Sequence, residues 1–278
     1  MTHLLPRLNR RQQFVAGTAV SAGILGVVIL AGFLMSSDGL VTNLAARHLS
    51  PSWQYPFGTD WLGRDMLART IKGLNLSLGV GLLAASLSGL IALVLGLAAG
   101  TLGKGVDTVV TWLVDLALGM PHLVVIILIA FAMGGGAKGV ITGVMLTHWP
   151  SLTRVIRAEV LQLRSAEYVQ ISRRLGKSNW WVATRHILPH ILPQLFVGTL
   201  LLFPHAILHE AAVTFLGFGL SPHQPAIGII LSESMSYLST GMWWLAFFPG
   251  LMLLVVVRMV DILGDNLRQL MDPHSAHQ

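Results

Sequence analysis

The chain has 278 residues, of which 54% are hydrophobic and 11% charged, and it contains no cysteine. So small a charged share excludes an ordinary soluble domain, and the missing thiols exclude disulfides and thiolate metal sites. The formal net charge of +6 is gathered into particular segments between apolar runs, a pattern of membrane orientation rather than of nucleic-acid binding.

Taken in order, six segments come near the ~20 residues that a bilayer crossing requires. Segments 14–34 and 76–102 hold no charged residue. The first is too long for the core of a signal peptide and has no small-x-small cleavage site, so it is expected to be an uncleaved anchor. A polar loop at 36–74 separates the two, and a loop of that length usually has a function or a packing partner. Segment 116–137 is again free of Asp, Glu, Lys and Arg, with Asp107 and Asp115 expected near the start of the same helix. Segment 139–153 is short before Arg154, so the fourth span is expected to run on as helix into the polar stretch that follows. Segments 186–209 and 234–257 complete the set.

With the amino terminus inside, thirteen of the eighteen Lys and Arg residues fall on the inner side, including Arg7 and the cluster from Arg154 to Arg185. Six spans with both termini cytoplasmic satisfy the positive-inside rule. The chain then divides into 1–75, with the first span and an extracytoplasmic loop, a five-span core at 76–265, and a tail at 266–278. A cytoplasmic loop at 157–189 interrupts the core. No internal repeat or low-complexity tract is evident.

That cytoplasmic loop is more elaborate than a hairpin needs. Leu161, Tyr168, Ile171 and Leu175 are spaced seven, three and four apart, which places them on one helical face. Arg157, Arg164, Glu167, Gln170 and Arg174 form a polar stripe beside them. Gly176 stands where a helix C-cap takes a left-handed residue, and Ser178 can cap a second helix. A helix, a glycine turn and another helix make either a knob that fits a partner's groove or an amphipathic helix lying in the membrane interface.

Three further groups carry polar chemistry. In the outer loop, Asp60, Arg64 and Asp65 can cross-link the chain by charge-assisted hydrogen bonds around turns at Gly58 and Gly63. In the third span Pro121 predicts a bend, and Asp115 either reaches water at the interface or faces a cavity. In the fifth, His205 and His209 lie four apart on one face, with Glu210 adjacent, and His148 is a further candidate in the fourth. Imidazoles so placed can ligate one nickel, cobalt, copper or zinc ion, or they can simply hydrogen-bond helix to helix. The His209-Glu210 pair lacks the second histidine of a zincin helix, since position 213 is Val. No Gly-x-x-x-x-Gly-Lys-Ser/Thr run occurs, so nucleotide phosphates are not cradled by that route.

The segment from Glu167-Tyr-Val-Gln-Ile-Ser-Arg-Arg-Leu-Gly176 to Ile187-Leu-Pro189 resembles the loop by which permease subunits of binding-protein-dependent ABC importers dock onto their ATPases. Pro56-Phe-Gly-Thr-Asp-Trp-Leu-Gly-Arg-Asp65 looks like the signature of one permease of the dipeptide, oligopeptide and nickel importers. Glu210-Ala-Ala-Val-Thr-Phe-Leu-Gly-Phe-Gly219, Trp243-Trp-Leu-Ala-Phe-Phe-Pro-Gly250, Gly264-Asp-Asn-Leu-Arg268 and Asp272-Pro273 extend the resemblance. Phe203-Pro-His-Ala-Ile-Leu-His209 and His148-Trp149 are closer to the nickel and metallophore branch. A departure is His190, where relatives usually have asparagine.

The resemblance implies an all-α membrane protein of six transmembrane helices with the type I ABC importer permease fold, in the bacterial cytoplasmic (inner) membrane. It implies ATPase coupling through Glu167, Tyr168, Arg174 and Gly176, and bracing by Asp60, Arg64 and Asp65. The translocation path or a metal would be met by His205, His209, Glu210 and His148. The implied partners are a second homologous permease, two cytoplasmic ATPases and an extracytoplasmic binding protein, besides membrane lipid. The chain itself would bind no cofactor and catalyse nothing, with ATP and Mg held by the ATPases. The expected cargo is nickel, cobalt or a metal–metallophore complex, with di- or oligopeptides as the alternative. An intramembrane hydrolase or an ion-coupled secondary transporter would leave the docking loop unexplained.

Overall fold

A computed structural model of the protein describes residues 10–271, and Arg7 and the Asp272-Pro273 motif lie outside them. The described residues are helices joined by turns, with one isolated bridge between Thr59 and Asp65. The chain forms two compact units, one of residues through Asn75 and from Glu233 onward, the other of Leu76–Ser232.

In the first unit α1 (Arg10–Leu34) packs along α10 (Trp244–Met271). One amide pins the pair, and a second ties α1 to the chain at Asn75. Asn266 Nδ2 donates to Thr18 Oγ1 at 2.9 Å, and Asn75 Nδ2 donates to the carbonyl of Val28 at 2.9 Å. Val27, Leu30, Phe33 and Leu34 stay exposed along α1, as suits a helix surrounded by lipid. The outer loop is not structureless. It makes two 3-10 turns, Ser37–Leu40 and Leu44–Ala46, and its last residues already belong to α2 (Met66–Thr101). The second span therefore starts ten residues before the expected boundary at 76.

The second unit is built around α5 (Gly136–Arg164), which packs on α3 (Lys104–Gly119), α4 (His122–Ala132) and α8 (Leu188–Phe215). Its core joins Ala92 and Ala99 of α2 to Val110 and Val114 of α3 and to Leu152, Ile156 and Val160 of α5. Backbones approach closely where α2 carries glycine. A Cβ built at Gly96 would stand 2.6 Å from Cγ2 of Ile156, so the α2–α5 crossing requires the absence of a side chain there. Small residues at helix crossings are how membrane bundles gain packing when lipid is as apolar as the partner helix.

Three boundaries differ from those expected. The third span is not one helix: α3 and α4 meet at Met120–Pro121 with a 96° bend, since proline removes a backbone donor and clashes with the preceding turn. The last expected span, 234–257, contains the junction of α9 (Ile227–Leu238) and α10, separated by a turn with Gly241 at φ +86°. The stripe from Leu161 to Leu175 is also interrupted, because α5 ends at Arg164 and α6 (Glu167–Arg174) begins afresh. Among the described residues four helices are long and apolar enough to span a membrane, or five if the bent α3–α4 pair counts as one. Six is therefore not reached by length and hydropathy. The expected fourth span lies in α5, which is 29 residues long but carries Lys138, Arg154, Arg157, Glu159 and Arg164.

Replacing Gly96 with leucine is expected to force α2 and α5 apart and to cost about 1–3 kcal/mol, the usual penalty of overpacking. The checking measurement is the thermal midpoint of the detergent-solubilised chain, which should fall, whereas Gly105→Ala, with open space around its Cβ position and no left-handed backbone, should lower it less.

Candidate functional site

The outer loop is held by a buried charge network. Asp60 Oδ2 accepts from Arg64 Nε and from Arg69 NH1, both at 2.6 Å, and Asp60 Oδ1 accepts from the backbone N–H groups of Leu62 and Arg64 at 2.8 and 2.9 Å. Glu233 Oε2 closes the network on Arg69 NH2 at 2.9 Å and Arg64 NH2 at 3.4 Å. The side chains of Arg69 and Asp60 are only 3% and 4% exposed. Asp65 stands apart from the network. It caps α2, its Oδ1 accepting from the N–H of Leu67 at 2.9 Å, as an aspartate at a helix N-cap does. Burial pushes its carboxyl above the usual range, against the downward pull of the Leu67 and Ala68 amides. The sequence signal named Asp60 and Arg64 but missed Arg69, nine residues beyond Asp60 on α2, and Glu233, which is far away along the chain.

In the second unit, α6 and the short α7 (Asn179–Val182) form a compact knob. Val169 is fully buried beneath it. Gly176 has φ +79°, a left-handed conformation that a Cβ would penalise. The Ser178 side chain accepts from the N–H of Trp181. Glu167, Tyr168, Arg174 and Gly176 are all exposed, and so are Ile171 and Leu175. Behind them His186 is a hub that sequence reasoning missed. Its Nε2 meets Ser172 Oγ at 2.9 Å, and its ring contacts Tyr168 and Trp181 edge-on. His190 stacks on Tyr168 from one turn further along α8, which gives the histidine in place of asparagine a packing role. Burial, and then the nearby charge of Arg164, hold the Arg173 guanidinium below its ordinary pKa. A single π-helical turn, Ala183–Ile187, carries the knob into α8.

Within the helices, His148 of α5 and His209 of α8 come together with ring centres 4.9 Å apart. His122, the first residue of α4, joins them at 5.6 Å from His148 and 6.5 Å from His209. The sequence gave no sign of His122, since only the bend at Pro121 brings it there. His205 is exposed one turn before His209, and its carbonyl accepts from His209 Nδ1 at 2.8 Å. Glu210 does not join the histidines: it is fully buried, and its Oε1 accepts from Thr214 Oγ1 at 2.9 Å. Among the described residues no group of three or more His, Asp or Glu side chains could hold a metal ion. Asp115 pairs with Arg154 at the exposed α3–α5 edge, their side chains 58% and 55% exposed, and Asp107 pairs with Arg157. A cavity of about 450 Å³ between α2 and α8 is lined mainly by apolar side chains such as Leu82, Leu192, Phe196 and Phe203.

Residues 92–273 match the family described as the binding-protein-dependent transport system inner membrane component. The chain belongs to that family. It is 30% identical over 267 residues to the dipeptide transport system permease protein DppC of Bacillus subtilis, covering 96% of this chain and 83% of that one. A putative peptide transport system permease of Brucella suis is 33% identical, with 96% and 90% covered. The probable D,D-dipeptide transport system permease protein DdpC of Escherichia coli K12 is 30% identical, with 93% and 87% covered. Among solved structures, an inward-facing form of the MetNI methionine ABC transporter superposes with a TM-score of 0.60 at 16% identity, covering 74% of this chain and 98% of that one. That likeness is of fold, and it is the type I ABC permease fold. The chain is thus an inner-membrane, multi-pass permease subunit of an ABC importer, working with ATPase and substrate-binding partners.

Arg69→Ala removes one of the two guanidiniums paired with the buried Asp60 carboxylate and is expected to destabilise the first unit, by up to about 3–5 kcal/mol. Chemical or thermal unfolding followed by tryptophan fluorescence checks this. Arg154→Ala, which breaks an exposed pair, should change the midpoint by no more than ~1 kcal/mol.

Proposed function

We propose that this permease subunit imports di- or oligopeptides across the bacterial inner membrane, paired with a second homologous permease, two cytoplasmic ATPases and an extracytoplasmic binding protein. The carrying observation is that relatives matched over nearly the whole chain bear dipeptide or peptide transport names. Both termini are cytoplasmic on this reading, which puts the Glu167–Lys177 knob on the ATPase side. ATP and Mg are held by the partner ATPases. Their closure pushes the knob through Glu167, Tyr168, Arg174 and Gly176, and the spans rock between inward- and outward-facing states. The Asp60–Arg64–Arg69–Glu233 network braces the outer loop while this happens, and Asp65 keeps the start of α2 in place.

The metal cargo expected from the sequence stands as a second reading. The relatives' names do not favour nickel, cobalt or a metallophore complex, and the reading rests on the imidazoles of His122, His148 and His209 gathering within the helices. Uptake assays separate the two. In cells lacking the chain and then supplied with it, labelled di- and tripeptide uptake is expected to be lost and restored, with radionickel and radiocobalt uptake unchanged. Restored metal uptake without restored peptide uptake would reverse the order of the readings.

Coupling has its own test. Gly176→Val forces a Cβ into a left-handed backbone at about 1–2 kcal/mol, and Glu167→Lys inverts a charge on the exposed face of the knob. Both variants are expected to insert normally yet lose ATPase co-purification and cargo-stimulated ATP hydrolysis. Retention of both properties would remove the coupling role.

A further inference from the structure

We infer that the end of α2 and the start of α7 and α8 enclose a binding site for one anionic phospholipid, an acyl chain lying in an apolar groove and the phosphate meeting basic side chains at its mouth. Which leaflet supplies the lipid rests on the topology proposed above; the binding chemistry does not.

The groove lies wholly in the second unit. It has a volume of about 410 Å³, with Leu93, Leu97 and Leu102 on one wall and Trp180, Ala183 and Leu188 on the other. α2 ends at Thr101 and α7 starts at Asn179, and both residues line the groove, so its mouth is where the two walls leave their helices. The first wall runs from position 93 to 102 and the second from 179 to 188, nine steps each. At 1.5 Å per residue that is about 14 Å, close to half of the ~30 Å hydrocarbon core. A groove of that depth suits one acyl chain of one leaflet.

Its side chains are open to the surroundings, Val94, Leu102 and Trp180 being 57%, 62% and 77% exposed. Trp180 stands at the mouth, and tryptophan favours the membrane–water interface, where its body is apolar and its indole N–H is wet. Its neighbour Trp181 packs on His186 instead.

Charge decides the headgroup. Residues 173–185 include Arg173, Arg174, Lys177 and Arg185 and no carboxylate. Lys177 and Arg185 are exposed, as is Lys104 two residues past Leu102. Among the described residues none of these three forms an ion pair. Asp107, the acid in the first turn of α3 after Lys104, is taken by Arg157. Lys177 Nζ rests 5.1 Å from the centre of the Trp181 ring, a contact that leaves its N–H groups to an anion. A zwitterionic headgroup brings its own cation to such a place, whereas an anionic one brings net negative charge, and basic clusters beside spanning helices attract anionic lipid. An apolar partner helix would cover the walls yet leave three cations without a counter-charge.

The test places the full-length chain, alone and assembled with its partner subunits, in phosphatidylcholine nanodiscs. Brominated phosphatidylglycerol or brominated phosphatidylcholine is added in rising share, and tryptophan quenching is read. Subtracting the Trp180→Phe variant from the native chain isolates one of the eight tryptophans. The Trp180 signal is expected to be lost at a share of brominated phosphatidylglycerol ~10-fold or more below that of brominated phosphatidylcholine. Lys104→Gln, Lys177→Gln and Arg185→Gln should each raise the share needed by roughly fivefold. Lys138→Gln, exposed in the first turn of α5, should not. Ala98→Phe puts a ring into the groove and should abolish quenching with the cations intact; the charge variants, all at exposed positions, decide the matter without it. Equal quenching by the two brominated lipids, or recovery of the signal on adding inorganic phosphate, overturns the site. So does loss of all Trp180 quenching on assembly, which would assign the groove to a partner subunit. If quenching runs as expected but a Ser178→Cys variant is labelled from outside intact cells, the site stands and the leaflet assignment falls with the proposed topology.

Discussion

An apolar environment supplies no partner for a backbone amide or carbonyl, so each place where a helix of this chain stops must be tied to something else. The turn after α4 and the turn after α8 are tied to each other, the N–H of Gly136 donating to the carbonyl of Gly219 at 2.9 Å. The second of these turns is also held from within α8: the N–H of Leu220 donates to Thr214 Oγ1 at 3.1 Å, and Thr214 Oγ1 donates to Glu210. Across the α9–α10 junction, Ser234 Oγ donates to the carbonyl of Leu245 at 2.9 Å. Polar residues inside the apolar segments thus mark the interruptions. Glu210 belongs to this class, which is why a buried carboxylate beside a histidine pair is not itself a ligand.

The charged residues divide by burial more than by chemistry. Asp115–Arg154 and Asp107–Arg157 both link α3 to α5, but the first pair is more than half exposed, where screening and side-chain entropy leave little net attraction. Asp60 and Arg69 are nearly inaccessible, and removing either would leave the other with one fewer partner in a medium that solvates charge poorly. Four hydrogen bonds converge on Asp60, so the loop's shape depends on that carboxylate to a degree that no exposed pair approaches.

Much of this was legible from local pattern. Gly176 and Ser178 announced a helix stop and a helix start because cap chemistry depends on adjacent residues. Apolar runs located the long helices α1, α2, α8 and α10, and Pro121 located the bend. Failures came where tertiary contact decides. Hydropathy ran through Ser239–Trp243 and merged α9 with α10, since a turn of small residues between apolar neighbours leaves an averaged window high. The helical stripe at 161–175 was extended across Ser165–Ala166, because the 3.6-residue period survives a short break by chance. His122 and Glu233 were missed because each acquires its partners from a segment distant in sequence, and Arg69 and His186 because their nearer partners lie across a turn of the chain rather than at a helical spacing.

One element joins the knob to the histidines. α8 follows directly from the π-helical turn that contains His186, and His209 lies twenty-three residues beyond it, about 35 Å along a helix rising 1.5 Å per residue. Proline at 193 and 204 removes backbone donors along the way, so this rod can bend as well as shift. Helix movements of ~1–2 Å are typical where packed elements exchange arrangements, and the difference between the 6.5 and 4.9 Å ring separations is of that size. A displacement of α8 against α4 would change the His122–His209 separation, whereas Ile156 and Val160 are fully buried in the core. His122 stands at the start of α4 and His209 on a half-buried face of α8, while His148 is buried within α5, so a shift of α8 would be felt first between His122 and His209.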